Sequence, residues 1–348
     1  VNEIDVTYDK KNDLSIVTVR NSNDENIRTF TYDLNTDTWN QKQSLDAGAV
    51  NYWIDLVHVD GHNTWHVSTS GSDTNEGSEE NPFATIQKGI DSSSDGDTVL
   101  VSAGTYVENI NYNGKNIEIH GEDSETTIID GNQNGSVVTF SSGEDSTAVL
   151  QNFTITNGSS MEGGGIFINS SSSFLKNLNI KSNSSSGNGA GIYAKNNSYL
   201  KITNSLIENN FQVDQGNSGG GIGLRDGSSA YIENVNIQNN STQNWGGGLY
   251  VYTDCNVSIK NSIVNNNFAL NGNGGGIAID GNSYLDIVDV IIKNNESANG
   301  GGIYFRLSNG TLANTVISNN LANGEGSGLC TYNSDISLIN NTIWGSAE

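Results

Sequence analysis

Residues 246–252 read Gly-Gly-Gly-Leu-Tyr-Val-Tyr, and the same phrase, Gly-Gly-Gly followed by an aliphatic residue, recurs from residue 163 onward. We call the aliphatic residue the anchor of its unit. The anchors are Ile166, Ile192, Ile222, Leu249, Ile277, Ile303 and Leu329. They lie 26, 30, 27, 28, 26 and 26 residues apart. A unit this small cannot bury its own apolar face, so the units must stack on one another.

Two columns of asparagine accompany the anchors. Each member of the first stands three residues before another aliphatic residue: Asn152, Asn177, Asn204, Asn234, Asn261, Asp289, Asn314 and Asn340. The second is an Asn-Asn pair that closes the unit, as at 209–210, 239–240, 294–295 and 319–320. Asn tolerates left-handed backbone, and stacked amides can hydrogen-bond to one another. Because no unit holds ten residues of helical period, the pattern predicts an all-β protein, a parallel β-helix.

Composition excludes several other classes of protein. The 348 residues include 15 Lys and Arg against 39 Asp and Glu, which gives a formal charge of −24. Nucleic acid is therefore not an expected partner, since phosphate contacts need clustered cations. No run of about 18 apolar residues is present, so no transmembrane segment is expected. Residues 1–156 carry 7 basic and 26 acidic groups against 8 and 13 in residues 157–348, which indicates a boundary between differently built regions in the first half.

The start of the repeat region resembles a known group of proteins. The resemblance rests on residues 65–90 and on three short motifs, Gly96-Asp-Thr-Val-Leu-Val, Gly104-Thr-Tyr-Val-Glu and Thr127-Ile-Ile-Asp-Gly131. These stretches resemble right-handed parallel β-helix proteins of the pectate-lyase-like superfamily. The Gly-Gly-Gly-Ile units resemble the repeats of bacterial and archaeal surface adhesins. The resemblance covers residues 65–348 and implies a location outside the cell or at its surface, on a fold that hosts lyases, hydrolases and inert adhesins.

A short helix is predicted over residues 82–92, where it would cap the open N-terminal end of the β-helix. Asn81 would be its N-cap and Pro82 its first residue, because proline is favoured at the first helical position. The buried face of this helix would be formed by Phe83, Ile86 and Ile90.

Residues 1–64 are predicted to be a separate β-rich segment, and residues 65–348 a β-helix of about ten coils. The predicted strands of the segment are Ile4–Tyr8, Leu14–Arg20, Asn26–Tyr32, Thr38–Ser44 and Tyr52–Val59. Together they resemble one antiparallel blade of a β-propeller. Because a single blade is not expected to be stable alone, we expect a larger multidomain chain.

The strand after each anchor alternates, so the first and third residues beyond the anchor point outward. These two columns place tyrosines beside charged side chains along one face, with Trp245 at its edge. The predicted substrate-binding residues are Tyr193, Trp245, Tyr250, Asp280, Tyr304, Arg306 and Tyr332. Aromatic rings with polar tips, beside cations that bind carboxylates, favour an acidic polysaccharide or cell-surface glycan as the partner. The alternative is that the tyrosines are ordinary cross-strand stabilisers.

Catalysis by β-elimination would need a cation near the substrate carboxylate, a base and an acid. From the related lyases, Lys195 or Arg225 is the candidate base or neutraliser, and Tyr252 the candidate acid. Asp226, Asp254 and Asp280 are candidate ligands for Ca²⁺, which favours oxygen. Hydrolysis would instead need two carboxylates across one site, with Asp280 and Asp254 as candidates. No lyase motif is recognisable, so enzymatic activity stays open.

The competing interpretation is a non-catalytic adhesin or a structural stalk.

The two cysteines, Cys255 and Cys330, are not expected to form a disulfide with each other. They belong to coils three steps apart, roughly 14 Å along the axis, whereas a disulfide needs Cα atoms within about 7 Å. Both thiols are therefore expected to be free.

Overall fold

The computed structural model describes strands 3–9, 14–20, 27–33 and 38–44 at the level of the backbone, and residues 62–214 and 219–345 in full. The chain forms two compact units, Val1–Val59 and Asp60–Glu348. The first contains a four-stranded antiparallel sheet in chain order, with a register shift between Thr29 and Phe30. Its strands are Glu3–Asp9, Leu14–Arg20, Ile27–Asp33 and Thr38–Ser44. Four of the five predicted strands are confirmed, and Tyr52–Val59 lies outside the described residues.

The second unit is a parallel β-helix with three sheets. What we call the anchor sheet has nine strands: Ile110–Asn111, Val138–Phe140, Ile166–Asn169, Ile192–Lys195, Ile222–Arg225, Leu249–Tyr252, Ile277–Asp280, Ile303–Arg306 and Leu329–Tyr332. The described residues therefore form nine coils, one fewer than predicted. Two coils, rather than three, precede Ile166 in this sheet, at Ile110 and Val138.

Two further sheets complete each coil. The wide sheet consists of Thr64–Val67, Thr98–Val101, Gly104–Val107, Glu118–Gly121, Thr127–Asp130, Val149–Thr156, Ser172–Lys181, Tyr199–Thr203, Leu206–Glu208, Ser229–Glu233, Asn236–Gln238, Asn256–Lys260, Ile263–Asn265, Tyr284–Val288, Ile291–Lys293, Asn309–Ala313, Val316–Ser318, Ile336–Ile339 and Thr342–Trp344. The short-strand sheet consists of Ser159–Glu162, Ser184–Asn188, Phe211–Gln212, Ser241–Thr242, Phe268–Ala269, Glu296–Ser297 and Leu321–Ala322.

The predicted asparagine columns form the corners of the coils. Every member of the first column has a positive φ, between 47° and 63°. The first asparagine of each pair also has a positive φ, as at Asn209 and Asn239. Amides also stack between coils, since Asn177 Nδ2 donates to Asn152 Oδ1 at 2.8 Å. The prediction of left-handed corners with stacked amides is confirmed.

The second asparagine of each pair points inward and, with Asn183, which follows a serine, forms what we call the buried asparagine column: Asn183, Asn210, Asn240, Asn267, Asn295 and Asn320. Each amide nitrogen donates to the next amide oxygen, as from Asn240 to Asn267 at 3.1 Å. This column explains the last glycine of each triplet. A Cβ at Gly248 would lie 2.6 Å from the Gly276 carbonyl oxygen and 3.0 Å from Asn267 Nδ2. A side chain at this position would therefore break the column apart.

The anchors form one inward column, as predicted. Ile222 pairs with Leu249, and both side chains are fully buried in the core. The residues two beyond the anchors are also buried, except in the last coil, where Thr331 is exposed and Leu329 only partly buried. The alternation therefore holds along the sheet and sends the intervening side chains away from the core.

The predicted helix forms but starts later than expected. It spans Ile86–Ser92, and its N-cap is Thr85, whose hydroxyl accepts from the backbone N–H of Lys88. Asn81 and Pro82 precede the helix because the next residue, Phe83, pairs with a wide-sheet strand: its N–H donates to the His66 carbonyl at 2.9 Å. Phe83, Ile86 and Ile90 are all buried as predicted, but Phe83 precedes the helix and is not part of its face. The helix packs on the first strands of the wide and anchor sheets.

A serine column lines another corner, with the backbone N–H of each member donating to the hydroxyl of the next coil. Ser198 N donates to Ser228 Oγ, and Cys255 N to Ser283 Oγ, both at 3.2 Å. Cys255 thus stands where the other coils carry serine, and both it and Cys330 are free thiols. None of the described helices is long and apolar enough to cross a membrane.

Candidate functional site

The outward side of the anchor sheet carries the cluster that we call the aromatic face: Tyr193, Arg225, Trp245, Tyr250, Tyr252, Asp280, Tyr304 and Arg306. Neighbouring strands are in register, so Arg225, Tyr252 and Asp280 follow one another along the axis. Tyr193 and Tyr250 are 3% and 7% exposed, yet neither belongs to the core cluster. They point outward and are covered by the other side chains of the face. The two predicted outward columns of tyrosines and charged side chains are thus present, but many of these side chains are packed against one another rather than open to solvent.

Trp245 occupies the centre of the aromatic face. It stands immediately before Gly246, whose φ of +66° turns the chain from the short-strand sheet into the anchor sheet. Its ring meets Tyr250 at a centroid distance of 6.0 Å and Tyr304 at 5.4 Å, both edge to face. Such pairs stabilise beyond their buried area and hold the rings in fixed orientations. The half-buried indole therefore lies on a rigid support.

Arg306 and Asp280 form a two-point ion pair beside the indole. Arg306 Nε donates to Asp280 Oδ1 at 2.9 Å, and Nη2 donates to Oδ2. The Asp280 side chain is 1% exposed and also accepts from the Gly281 N–H at 2.7 Å. The guanidinium lies 4.4 Å from the Trp245 ring centroid. The hydrogen bonds and charge of Asp280 raise the pKa of Arg306, which fixes it as a cation.

Arg225 lies nearer the N-terminal end of the face and is held in a similar way. Its guanidinium lies 5.0 Å from the Tyr252 ring centroid, and Nε is 3.3 Å from Asp226 Oδ1. Partial burial favours its neutral form, but the Tyr193 hydroxyl and the Asp226 carboxylate outweigh this and raise the pKa of Arg225. Tyr252 in turn stacks on Tyr250, with centroids 5.9 Å apart. Arg225 is therefore a poor proton acceptor.

Lys195 lies at the N-terminal end of the face and already has an acidic partner. Its Nζ donates to Glu162 Oε2 at 2.6 Å and lies 5.4 Å from the centroid of the Phe167 ring. Phe167 stacks on Tyr193 at 6.4 Å, which joins this pair to the rest of the face. Sequence reasoning missed Glu162. The signal was present, because Glu162 immediately precedes its glycine triplet, the position that Trp245 occupies three units later.

Burial is the main influence on the pKa of the tyrosine hydroxyls of the face. It raises the pKa of Tyr193 and of Tyr250, and the neighbouring Glu162 and Asp280 carboxylates act in the same direction. The pKa of Tyr304 is also raised, chiefly by burial. These hydroxyls stay protonated near neutral pH and can donate hydrogen bonds. Tyr332, the last predicted binding residue, pairs with Arg306 in register and is exposed at 57%.

The three aspartates predicted as calcium ligands do not fit a common site. Asp280 is engaged by Arg306, Asp226 by Arg225, and Asp254 Oδ1 accepts from Asn282 Nδ2 at 2.7 Å. Among the described residues, no three His, Cys, Asp or Glu side chains are grouped closely enough to hold a metal ion. Calcium binding stays a prediction from the sequence.

The fold and the aromatic face define a class, the parallel β-helix proteins with a side-chain platform on one sheet. More specifically, the chain belongs to the family described as right handed beta helix region, whose model matches residues 127–286 and 164–343. Residues 69–113 match a second family, described as a protein of unknown function (DUF1565). None of the curated proteins matches the chain.

Solved structures share the fold at low sequence identity. Pectate lyase Pel9A matches with a TM-score of 0.54 and 15% identity, over 82% of this chain and 78% of that protein. XylC, solved with xylose, matches with a TM-score of 0.50 and 9% identity, over 80% of this chain and 69% of that protein. Pectin methylesterase PemA from Erwinia chrysanthemi matches with a TM-score of 0.43 and 11% identity, over 71% of this chain and 89% of that protein. At these identities the likeness to the pectate lyase and to XylC establishes the parallel β-helix fold alone.

Proposed function

We propose that the aromatic face binds a polysaccharide chain that runs along the axis of the β-helix. The observation that carries this proposal is the half-buried indole of Trp245, held edge to face by Tyr250 and Tyr304 and flanked by Arg306. Sugar rings present C–H groups that pack on aromatic faces and hydroxyls that need hydrogen-bond partners. The face offers both in one place, since its rings carry hydroxyl and N–H groups at their edges.

The length of the face suits a linear polymer. Lys195 and Tyr332 are the ends of one outward column, five coil steps apart, which is roughly 24 Å at ~4.8 Å per coil. Small residues interrupt the neighbouring column at Gly223 and Ala278, and both are buried. A chain of several sugar units would contact successive coils, so its affinity would grow with length.

We favour binding without catalysis over the lyase activity implied by the resemblance. A general base must release and accept a proton near the working pH. Arg225 has a raised pKa, and the Lys195 ammonium is paired with Glu162. Tyr252 lies against the Arg225 guanidinium and the Tyr250 ring. These contacts suit positioning of a ligand better than proton transfer, which agrees with a surface adhesin outside the cell.

A stalk without a ligand is the remaining competitor, and affinity electrophoresis through gels that contain polysaccharides separates the two. The native protein should be retarded by at least one polymer, and Trp245→Ala should lose that retardation. Trp344→Ala is the matched control, because Trp344 is exposed at 57% but lies at the end of the wide sheet. Tyr304→Ala provides a second test in case Trp245→Ala unfolds, as judged by circular dichroism.

Equal mobility of the native protein and Trp245→Ala in every gel would refute the proposed function. Lyase activity is checked on the same samples by following the absorbance of unsaturated products, with and without Ca²⁺. Product formation that is lost in Arg225→Ala would reinstate the catalytic assignment of Lys195, Arg225 and Tyr252.

A further inference from the structure

The two cations of the aromatic face, Arg225 and Arg306, and Lys195 at its N-terminal end are all paired with carboxylates. Lys195 pairs with Glu162 at 2.6 Å, Arg225 with Asp226 at 3.3 Å, and Arg306 with Asp280 through two hydrogen bonds. Three positive and three negative charges leave no net charge on the face. An acidic polymer would therefore meet cations whose charge is already neutralised.

The Arg306 pair resists exchange with an acidic ligand. Asp280 is 1% exposed, so turning Arg306 toward a ligand carboxylate would leave a buried charge without its partner, which is strongly unfavourable. A guanidinium has five N–H donors, and Asp280 uses two of them. The others remain for neutral acceptors such as hydroxyl, ether and amide oxygens. Arg306 is thus a fixed hydrogen-bond donor rather than an available positive charge.

The tyrosines point to the same kind of ligand. The hydroxyls of Tyr250 and Tyr304 keep their protons at neutral pH, since burial raises the pKa of both. A protonated hydroxyl can donate one hydrogen bond and accept another, which matches the hydroxyl groups of a sugar. The whole chain also carries a formal charge of −24, which repels polyanions at a distance.

We infer that the ligand of the aromatic face is an uncharged polysaccharide, recognised through stacking and hydroxyl hydrogen bonds. This inference rests on the proposed function and replaces the acidic glycan expected from the sequence. Because no ion pair forms across the interface, the affinity should depend little on salt.

The test compares polymers with the same backbone, namely polygalacturonate and its fully methyl-esterified form, together with xylan, galactan and mannan. Binding is measured by isothermal titration calorimetry at about 0.02 M and about 0.5 M NaCl, a range over which exposed charges become screened. We expect at least one neutral polymer to bind, with a Kd that changes less than about twofold between the two salt concentrations, and polygalacturonate to bind at least about tenfold more weakly.

A double variant, Glu162→Gln with Asp226→Asn, tests the charge argument directly. It frees Lys195 and Arg225, and asparagine tolerates the positive φ of 53° at position 226. We expect this variant to gain affinity for polygalacturonate at low salt and to keep its affinity for the neutral polymer. No gain would show that paired charges are not what excludes acidic chains.

The outcomes separate the two proposals. Tight, salt-sensitive binding of polygalacturonate by the native protein would overturn the neutral ligand and leave polysaccharide binding intact. Binding of no polymer, or equal binding by Trp245→Ala, would overturn the proposed function itself.

Discussion

Replacing Asn267 with alanine should destabilise the β-helix severely, because this side chain lies in the middle of the buried asparagine column. Its Nδ2 donates to the Ile237 carbonyl at 2.9 Å and to Asn295 Oδ1 at 3.1 Å. Its Oδ1 accepts from the backbone N–H and the Nδ2 of Asn240, both at 3.1 Å. The substitution therefore removes four hydrogen bonds at once and leaves their partners in a closed interior.

The expected size follows from these four bonds. Each contributes about 1 kcal/mol net, and a partner left unsatisfied in a buried site costs about 1–3 kcal/mol. Asn267→Ala should therefore lower the free energy of unfolding by about 4 kcal/mol or more. Since a domain of ordinary stability has about 5–15 kcal/mol in total, the variant should be close to unfolding at room temperature.

The matched control is Asn256→Ala, an exposed asparagine of the same coil whose side chain makes no hydrogen bond among the described residues. Its effect should stay within about 0.5 kcal/mol. Urea unfolding of both variants, followed by far-ultraviolet circular dichroism, gives the comparison. A loss below about 1 kcal/mol for Asn267→Ala, or equal losses in the two variants, would show that the column does not support the fold.

Arg225→Ala should weaken polysaccharide binding by about tenfold or more, whereas Lys293→Ala, on the wide sheet, should leave it unchanged; equal losses by calorimetry would indicate a solvated face. Cys255→Ser should unfold within about 1 kcal/mol of the native protein, because serine fills this position in neighbouring coils. Reducing agent should not shift the Tm, as Cys255 and Cys330 are free; a shift would imply a disulfide. Burial alone would raise the pKa of Asp97, but hydrogen bonds from Ser94, Asn63 and Trp65 to its carboxylate outweigh burial and hold that pKa below its usual range. Its ionised form therefore stabilises the fold, stability falls as the pH drops through that lowered pKa, and Asp97→Asn should flatten this decline in acid unfolding curves.

The coil architecture could be read from sequence because each corner needs an unusual backbone conformation that few residues adopt. Asn204, Asn234 and Asn261 all have a positive φ, as their spacing predicted. The alternation after Ile222 and Leu249 then fixed which residues face outward. Local constraints and the repeat therefore determine both the fold and the membership of the outward columns.

The features that sequence reasoning missed depend on contacts between distant parts of the chain. Asn81 and Pro82 are a good local start for a helix, but pairing of Phe83 with a distant strand delays it to Ile86. No local pattern reveals such competition. The first coils lack the glycine triplet that marks the later ones, so their number was harder to read from the sequence.

The chemistry of the face was the least predictable part. Placing Asp280 and Arg306 in one column did not show that they would bond to each other, because adjacent outward side chains can turn toward a partner or toward solvent. The pairing of Lys195 with Glu162 spans two sheets and is invisible in a single column. Because of these ion pairs, the cations that the sequence places in one row form a surface without net charge. The proposed ligand therefore changes from an acidic to an uncharged polysaccharide.

The most direct test of the account is a crystal structure of the protein with a neutral oligosaccharide of several sugar units. We predict a sugar ring packed on Trp245, with its hydroxyls hydrogen-bonded to Tyr250, Tyr304 and Arg306 while the Arg306–Asp280 ion pair stays intact. An oligosaccharide bound to the wide sheet instead, with the aromatic face bare, would contradict it.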